Sequence, residues 1–175
     1  MSERKEILIS GFGGQGVVRL GQILSLASVY QGTYATMLIS HGTETRGGYV
    51  RSQVVISDAP VDSPIVENPD YFCALSKAAY NRFNNLVKNG TIIYDPGYVE
   101  RDNNLTAKHI SVNAREIAAN ELGKEIFANI IVLGVLGNLM SDILDKKNIF
   151  KAMLERISRF QEENKKALEI GYDLA

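Results

Sequence analysis

The sequence predicts an α/β fold with a mostly parallel sheet. Three observations carry that expectation: short apolar runs that alternate with helical periodicities, a glycine turn between the first strand and the first helix, and ordinary globular composition. Ile7–Ser10 reads as a short buried strand ending in a glycine cluster. From Val17 to Tyr30 the apolar residues Val17, Leu20, Ile23, Leu24 and Ala27 recur on one face, with Gly32 as the stop. Residues 34–39 read as the next strand, so the chain opens on strand, glycine turn, helix, strand, a βαβ unit by default.

A polar, glycine-rich segment follows from Ser40 to Gly48. Val50–Ile56 is then a strand closed by the turn at 57–60, and Tyr71–Leu75 is another. Residues 77–87 predict a helix stopped by Asn89-Gly90, Thr91–Tyr94 a strand, and Asp95-Pro96-Gly97 its turn. His109–Val112 reads as the last strand and leads into a helix over 114–122. Helices over 130–144, 149–157 and 161–168 finish the chain. Gly134 and Gly137 in the first of these mark a helix that lets a neighbouring backbone come close.

The 175 residues fit one domain spanning 1–175, with 45% apolar and 22% charged residues. A net charge of -1 and scattered basic residues give no reason to expect nucleic acid or an anionic membrane as partner. The charged start, Met1 to Glu6, does not read as a secretory signal, and no apolar run reaches a membrane span; a cytoplasmic location is the default expectation. The one cysteine, Cys73, sits in an apolar run and reads as a core residue, since a single thiol holds neither an iron–sulfur cluster nor a structural zinc.

Two loops are candidates for function. Gly11-Phe12-Gly13-Gly14-Gln15-Gly16 matches G-x-G-x-x-G, placed after a strand and opening a helix. On that pattern the first glycine makes the tight turn, the second lets a pyrophosphate approach the backbone, and the third lets helix and strand pack. Free N–H groups at the helix start add an anion site. A nicotinamide site would place an acid at the end of the second strand; here Ser40 and His41 stand there, and the nearest acid, Glu44, lies in the loop. A turn that only permits close packing is the alternative.

The second loop, Glu44-Thr45-Arg46-Gly47-Gly48, should emerge at the same sheet edge. Arg46 could hold a phosphate or carboxylate with Glu44 orienting it; a Glu–Arg pair bracing the loop or a subunit contact is the alternative, and is favoured. His109 reads as structural and His41 as a contact residue without a nucleophile beside it.

Together the loops resemble the gamma component of the 2-oxoacid:ferredoxin oxidoreductases. That family's G-x-G-G-Q-G is intact at Gly11–Gly16. Its S-Y-G-P-E-x-R-G-G corresponds to Ser40–Gly48, with His41 for the tyrosine and Thr43 for the proline. Residues 54–58, 63–66 and Asn129 before Leu133-Gly134 also look like family features. His41-Gly42 leans toward the indolepyruvate enzymes. Glu44 leans toward the pyruvate, 2-oxoisovalerate and 2-oxoglutarate group, within which 2-oxoglutarate is favoured.

The resemblance implies a Rossmann-like three-layer fold and a subunit without chemistry of its own. Thiamine diphosphate, Mg and 4Fe-4S clusters are then expected on partner subunits. It implies alpha, beta and ferredoxin-like delta chains as partners, ferredoxin as an indirect one, and coenzyme A as a shared substrate. Gly11, Gly13, Gly14, Gln15 and Gly16 become the candidate phosphate loop. Ser40, His41, Glu44, Arg46, Gly47 and Gly48 become the candidate ligand or subunit-contact loop. The chain has no G-D-G with a following asparagine pair at thiamine spacing, and Asn84-Asn85 reads as a helix end. A free-standing nicotinamide oxidoreductase and a purely structural assembly module remain the alternatives.

Overall fold

The computed structural model describes residues 3–42 and 48–175. Its centre is a six-stranded sheet: β1 (Arg4–Phe12), β2 (Tyr34–His41), β3 (Tyr49–Ser57), β4 (Tyr71–Ala74), β5 (Thr91–Tyr94) and β6 (Lys108–Ser111), in the order β2-β3-β1-β4-β5-β6. β1, β4, β5 and β6 pair in parallel, whereas β3 runs antiparallel to both β1 and β2. Five strands therefore share one direction and one opposes them.

The βαβ expectation holds for the direction of β1 and β2, but the two are not neighbours, because β3 lies between them. The physical reason is the length of the connection. Only seven residues separate His41 from Tyr49, which suits a hairpin and is too short for the crossover that a parallel neighbour needs.

One face of the sheet carries α1 (Val17–Gln31), α3 (Ala114–Leu122), α4 (Ala128–Leu139), α5 (Lys146–Arg156) and α6 (Gln161–Leu174). The other carries α2 (Lys77–Phe83) and the 3-10 turn Asn84–Leu86 that ends it. The alternation of side chains along β1 builds both cores: Ile7 and Ile9 face the larger, Leu8 the smaller. This three-layer arrangement is the one the family resemblance implies, on the mostly parallel sheet that the alternating elements predict.

Two predicted helices end early. The segment 77–87 becomes α2 plus the 3-10 turn, with Asn84 capping α2, and 130–144 becomes α4 with its end at Leu139. The small residues of α4 have a partner within the chain: a Cβ on Gly134 would fall 2.7 Å from the Cα of Gly171 in α6. Backbone-to-backbone contact of this kind fixes α4 against α6 and leaves no room for even a methyl group. Among the described residues, no helix is long and apolar enough to cross a membrane.

Candidate functional site

The parallel strands all end at one rim, and the glycine turn is built there. Gly14 and Gly16 take positive φ, 89° and 79°, which other residues resist, and Gly16 is the N-cap of α1. The first turn of α1 offers N–H groups that lack intrahelical partners and carries no acidic residue.

The glycines divide their work differently from the motif's general pattern. Gly11 still belongs to β1 and makes no tight turn; a Cβ there would lie 2.9 Å from the Leu75 Cβ and would strike the Gln15 amide. The positive-φ bend is made by Gly14 and Gly16. Nor does Gly16 serve helix–strand packing, because a Cβ there would collide with the side-chain amide of Asn129. Gly21 fills that role, with the Ser52 side chain 3.0 Å from its would-be Cβ. Around Gly13 the space is open, as close approach of a ligand to the backbone requires.

Gln15 locks the turn in place. Its Oε1 accepts from the Phe12 N–H at 2.6 Å, and its Nε2 donates to the Leu75 carbonyl at 2.8 Å. From the far side, Asn129 Nδ2 donates to the Gln15 carbonyl at 3.2 Å. Both side-chain ends of Gln15 are thus engaged within the protein, and the turn is preorganised rather than shaped by a ligand.

Beside the turn, at the carboxyl ends of β1, β4 and β5, opens a cavity of about 340 Å3. Ala74, Leu75, Ala114, Ala128 and Val132 give it an apolar wall; Gly14, Gln15, Asp95, Arg115, Glu125 and Asn129 give it polar positions. This is where open α/β sheets hold ligands. Asp95 Oδ1 accepts from Gly97 N and Oδ2 from Arg115 N, so its carboxylate is held by backbone. The Arg115 guanidinium lies over the Tyr98 ring, 3.7 Å from its centroid.

The second loop's flanks stand at the same rim. Phe12 is paired with Tyr49 and His41 with Val50, and His41 and Val50 line a shallow cavity with Gly13, Gly14 and Gly16. Ser40 is half-buried and His41 exposed at the end of β2, and Gly48 directly precedes β3. Glu44, Arg46 and Gly47 lie outside the described residues.

The other histidine belongs to a different environment. His109 in β6 shares a hydrogen bond of 2.9 Å with the Tyr80 hydroxyl and packs against Tyr94. Burial lowers its pKa, opposed by its bond to the Ala107 carbonyl, which fits the structural reading. Cys73 is fully buried and burial pushes its thiol up to about 12. Such a thiol is no nucleophile at neutral pH.

Sequence reasoning named Asn129 and the 95–97 turn but placed neither in the site. Their roles depend on partners tens of residues away: Asn129 on Gln15, Asp95 on Arg115. No local pattern announces such pairs.

Known proteins match this arrangement along nearly the whole chain. A family model described as pyruvate ferredoxin/flavodoxin oxidoreductase matches residues 6–174. The 2-oxoglutarate synthase subunit KorC of Methanocaldococcus jannaschii is 38% identical over 177 residues, with 98% of this chain and 94% of that one covered. The keto/oxoacid ferredoxin oxidoreductase gamma subunit of Geobacter sulfurreducens PCA superposes with a TM-score of 0.86 at 33% identity, over 98% of either chain. A 2-oxoglutarate:ferredoxin oxidoreductase from Magnetococcus marinus, solved with 2-oxoglutarate, coenzyme A and succinyl-CoA bound, gives 0.88 at 22% identity. It covers 99% of this chain but 31% of that one, a likeness of fold alone.

Proposed function

This chain belongs to the pyruvate ferredoxin/flavodoxin oxidoreductase family, as a gamma subunit of a 2-oxoacid:ferredoxin oxidoreductase, and from that premise we propose that it serves a 2-oxoglutarate enzyme by holding coenzyme A at its rim. The reaction joins the acyl group of a 2-oxoacid to coenzyme A, releases carbon dioxide and passes electrons to ferredoxin. The substrate assignment draws on the KorC relatives at 31–41% identity. Relatives named for pyruvate and ketoisovalerate share 30–34%.

One observation carries the coenzyme A reading. The preorganised glycine turn, the N-terminus of α1 and an apolar-walled cavity adjoin one another at the rim that the second loop's flanks also reach. An ADP-like group needs this set: N–H groups and a helix start for the diphosphate, an apolar wall for the base. Arg46 and Glu44 of the second loop join that site in the proposal, with Ser40, His41, Gly47 and Gly48 as its frame.

Among the described residues, no three His, Cys, Asp or Glu side chains gather into a possible metal site. Cys73 is sealed in the core and cannot reach a cluster. Thiamine diphosphate, Mg and the 4Fe-4S clusters are therefore assigned to partner chains: alpha and beta for the first two, a ferredoxin-like delta for the clusters. The whole complex is assigned to the cytoplasm, with ferredoxin met through delta rather than here.

Calorimetric titration of the full chain with coenzyme A, NADH and NADPH tests the reading. Coenzyme A alone should bind. Micromolar binding of NADH would replace it with the nicotinamide reading, which the Ser40–His41 end of β2 does not favour. In the reconstituted complex, 2-oxoglutarate should reduce viologen faster than pyruvate does.

A further inference from the structure

Ile126 and Asn129 form a ridge, and on its far side lies a second cavity, of about 440 Å3. Its charged lining is entirely cationic: Arg19 from the first turn of α1, Arg156 from the end of α5, and Arg159 from the link to α6. Arg19 donates a hydrogen bond to the Arg156 carbonyl, which ties two of the three together. Among the described residues, the ion pairs are Arg4–Glu6, Lys146–Glu169, Lys147–Asp145 and Lys165–Glu162, so none engages these arginines.

The link that carries Arg159 is held in an unusual conformation. Phe160 has φ 53°, the one positive value on a non-glycine residue among those described. Its half-exposed ring packs edge-on against Phe127 and accepts the Lys124 ammonium at 4.6 Å. Three exposed arginines from α1, α5 and the link to α6 border one concavity beside a helix N-terminus. A concavity bordered by cations without an anionic side chain in its lining favours an anion. Guanidinium forks match the oxygens of phosphate, and a concave site next to the glycine turn suits a small ligand better than a flat protein contact.

We propose that Arg19, Arg156 and Arg159 form a subsite for a phosphate monoester. The inference rests on the coenzyme A reading for its source: Ile126 and Asn129 line both cavities. A nucleotide seated in the first therefore crosses only that ridge to bring the monoester of its ribose to the arginines. Free phosphate is the other source of the same chemistry.

The test is calorimetric titration of the full chain with coenzyme A, dephospho-coenzyme A and inorganic phosphate. The parent is compared with Arg156→Gln, Arg159→Gln and the double variant, each checked for an unchanged thermal midpoint. The parent should bind coenzyme A about tenfold more tightly than the dephospho form, as expected for loss of charge-assisted contacts. That ratio should fall toward one in the double variant while dephospho-coenzyme A affinity stays constant. A parent that does not discriminate, or a double variant that discriminates as well as the parent, overturns the subsite. If coenzyme A fails to bind at all, the proposed function falls and the phosphate arm decides separately. Phosphate binding lost with the arginines supports the subsite, and its absence in the parent overturns it. Undiminished ligand binding with failed assembly onto partner chains also overturns it, in favour of a protein contact. Should the double variant not fold, the same ratio is read from the single ones.

Discussion

Asn129 Nδ2 reaches across 114 residues of sequence to the carbonyl of Gln15, and by that one bond α4 supports the glycine turn from behind. The same amide occupies the space in which a side chain at position 16 would have to fit.

Replacing Gly16 by Ala should therefore damage the turn twice over. The positive φ alone costs about 1–2 kcal/mol, and the new methyl group must displace Asn129. Urea unfolding should show a loss at or above that size. Asn129→Ala removes one hydrogen bond and should cost about 1 kcal/mol, with a weaker hold on coenzyme A. A Gly16→Ala protein as stable as the parent would remove the turn's geometry from consideration.

Gly134→Ala should be more severe, at about 2 kcal/mol or more, because the methyl group would meet α6 backbone rather than a movable side chain. The same denaturation measurement checks it, and a change under half a kilocalorie would mean that α4 and α6 separate freely.

Stability should fall in alkaline solution. The Cys73 thiol rises from its ordinary 9.0 to about 12 in the fold, and the Tyr172 hydroxyl from 10.0 to about 12, both chiefly through burial. Above pH 9 the unfolded chain releases protons that the folded chain retains, so unfolding becomes progressively easier up to about pH 12. Below pH 9 neither group contributes a slope. Urea midpoints at pH 8 and pH 10 should differ in that sense, and Cys73→Ala should shrink the difference. Ellman's reagent should leave the native protein unlabelled at pH 8 and label it once in urea.

Arg46→Ala should leave the unfolding midpoint in place while lowering coenzyme A-dependent turnover or assembly of the reconstituted complex. Viologen reduction and gel filtration give the readouts. Full activity with full assembly would remove Arg46 from the site.

Much of the fold could be read from the sequence because its signals are local. The apolar stripe of α1, the stop at Gly32 and the short runs of β4 and β5 each announce themselves within a few residues. The placing of β3 was harder, since apolar runs carry no arrow; only the short link from His41 to Tyr49 hints at a hairpin. In the site, the motif located the turn but misassigned Gly11 and Gly16, whose constraints come from Leu75 and Asn129. The arginine cavity has no sequence signature, because Arg19 and Arg156 meet only once α1 and α5 are folded.

The reversed strand has a consequence for how such a chain diversifies. Because β3 returns beside β2 in register from Tyr34↔Ser57 to His41↔Val50, the two strands that flank the second loop brace each other along their length. The crevice beyond β1 is assembled from other segments entirely. Changes in the link between those two strands can alter what meets the rim while the crevice walls from β4, α3 and α4 keep their shape, so one part of the proposed site can vary on a fixed remainder.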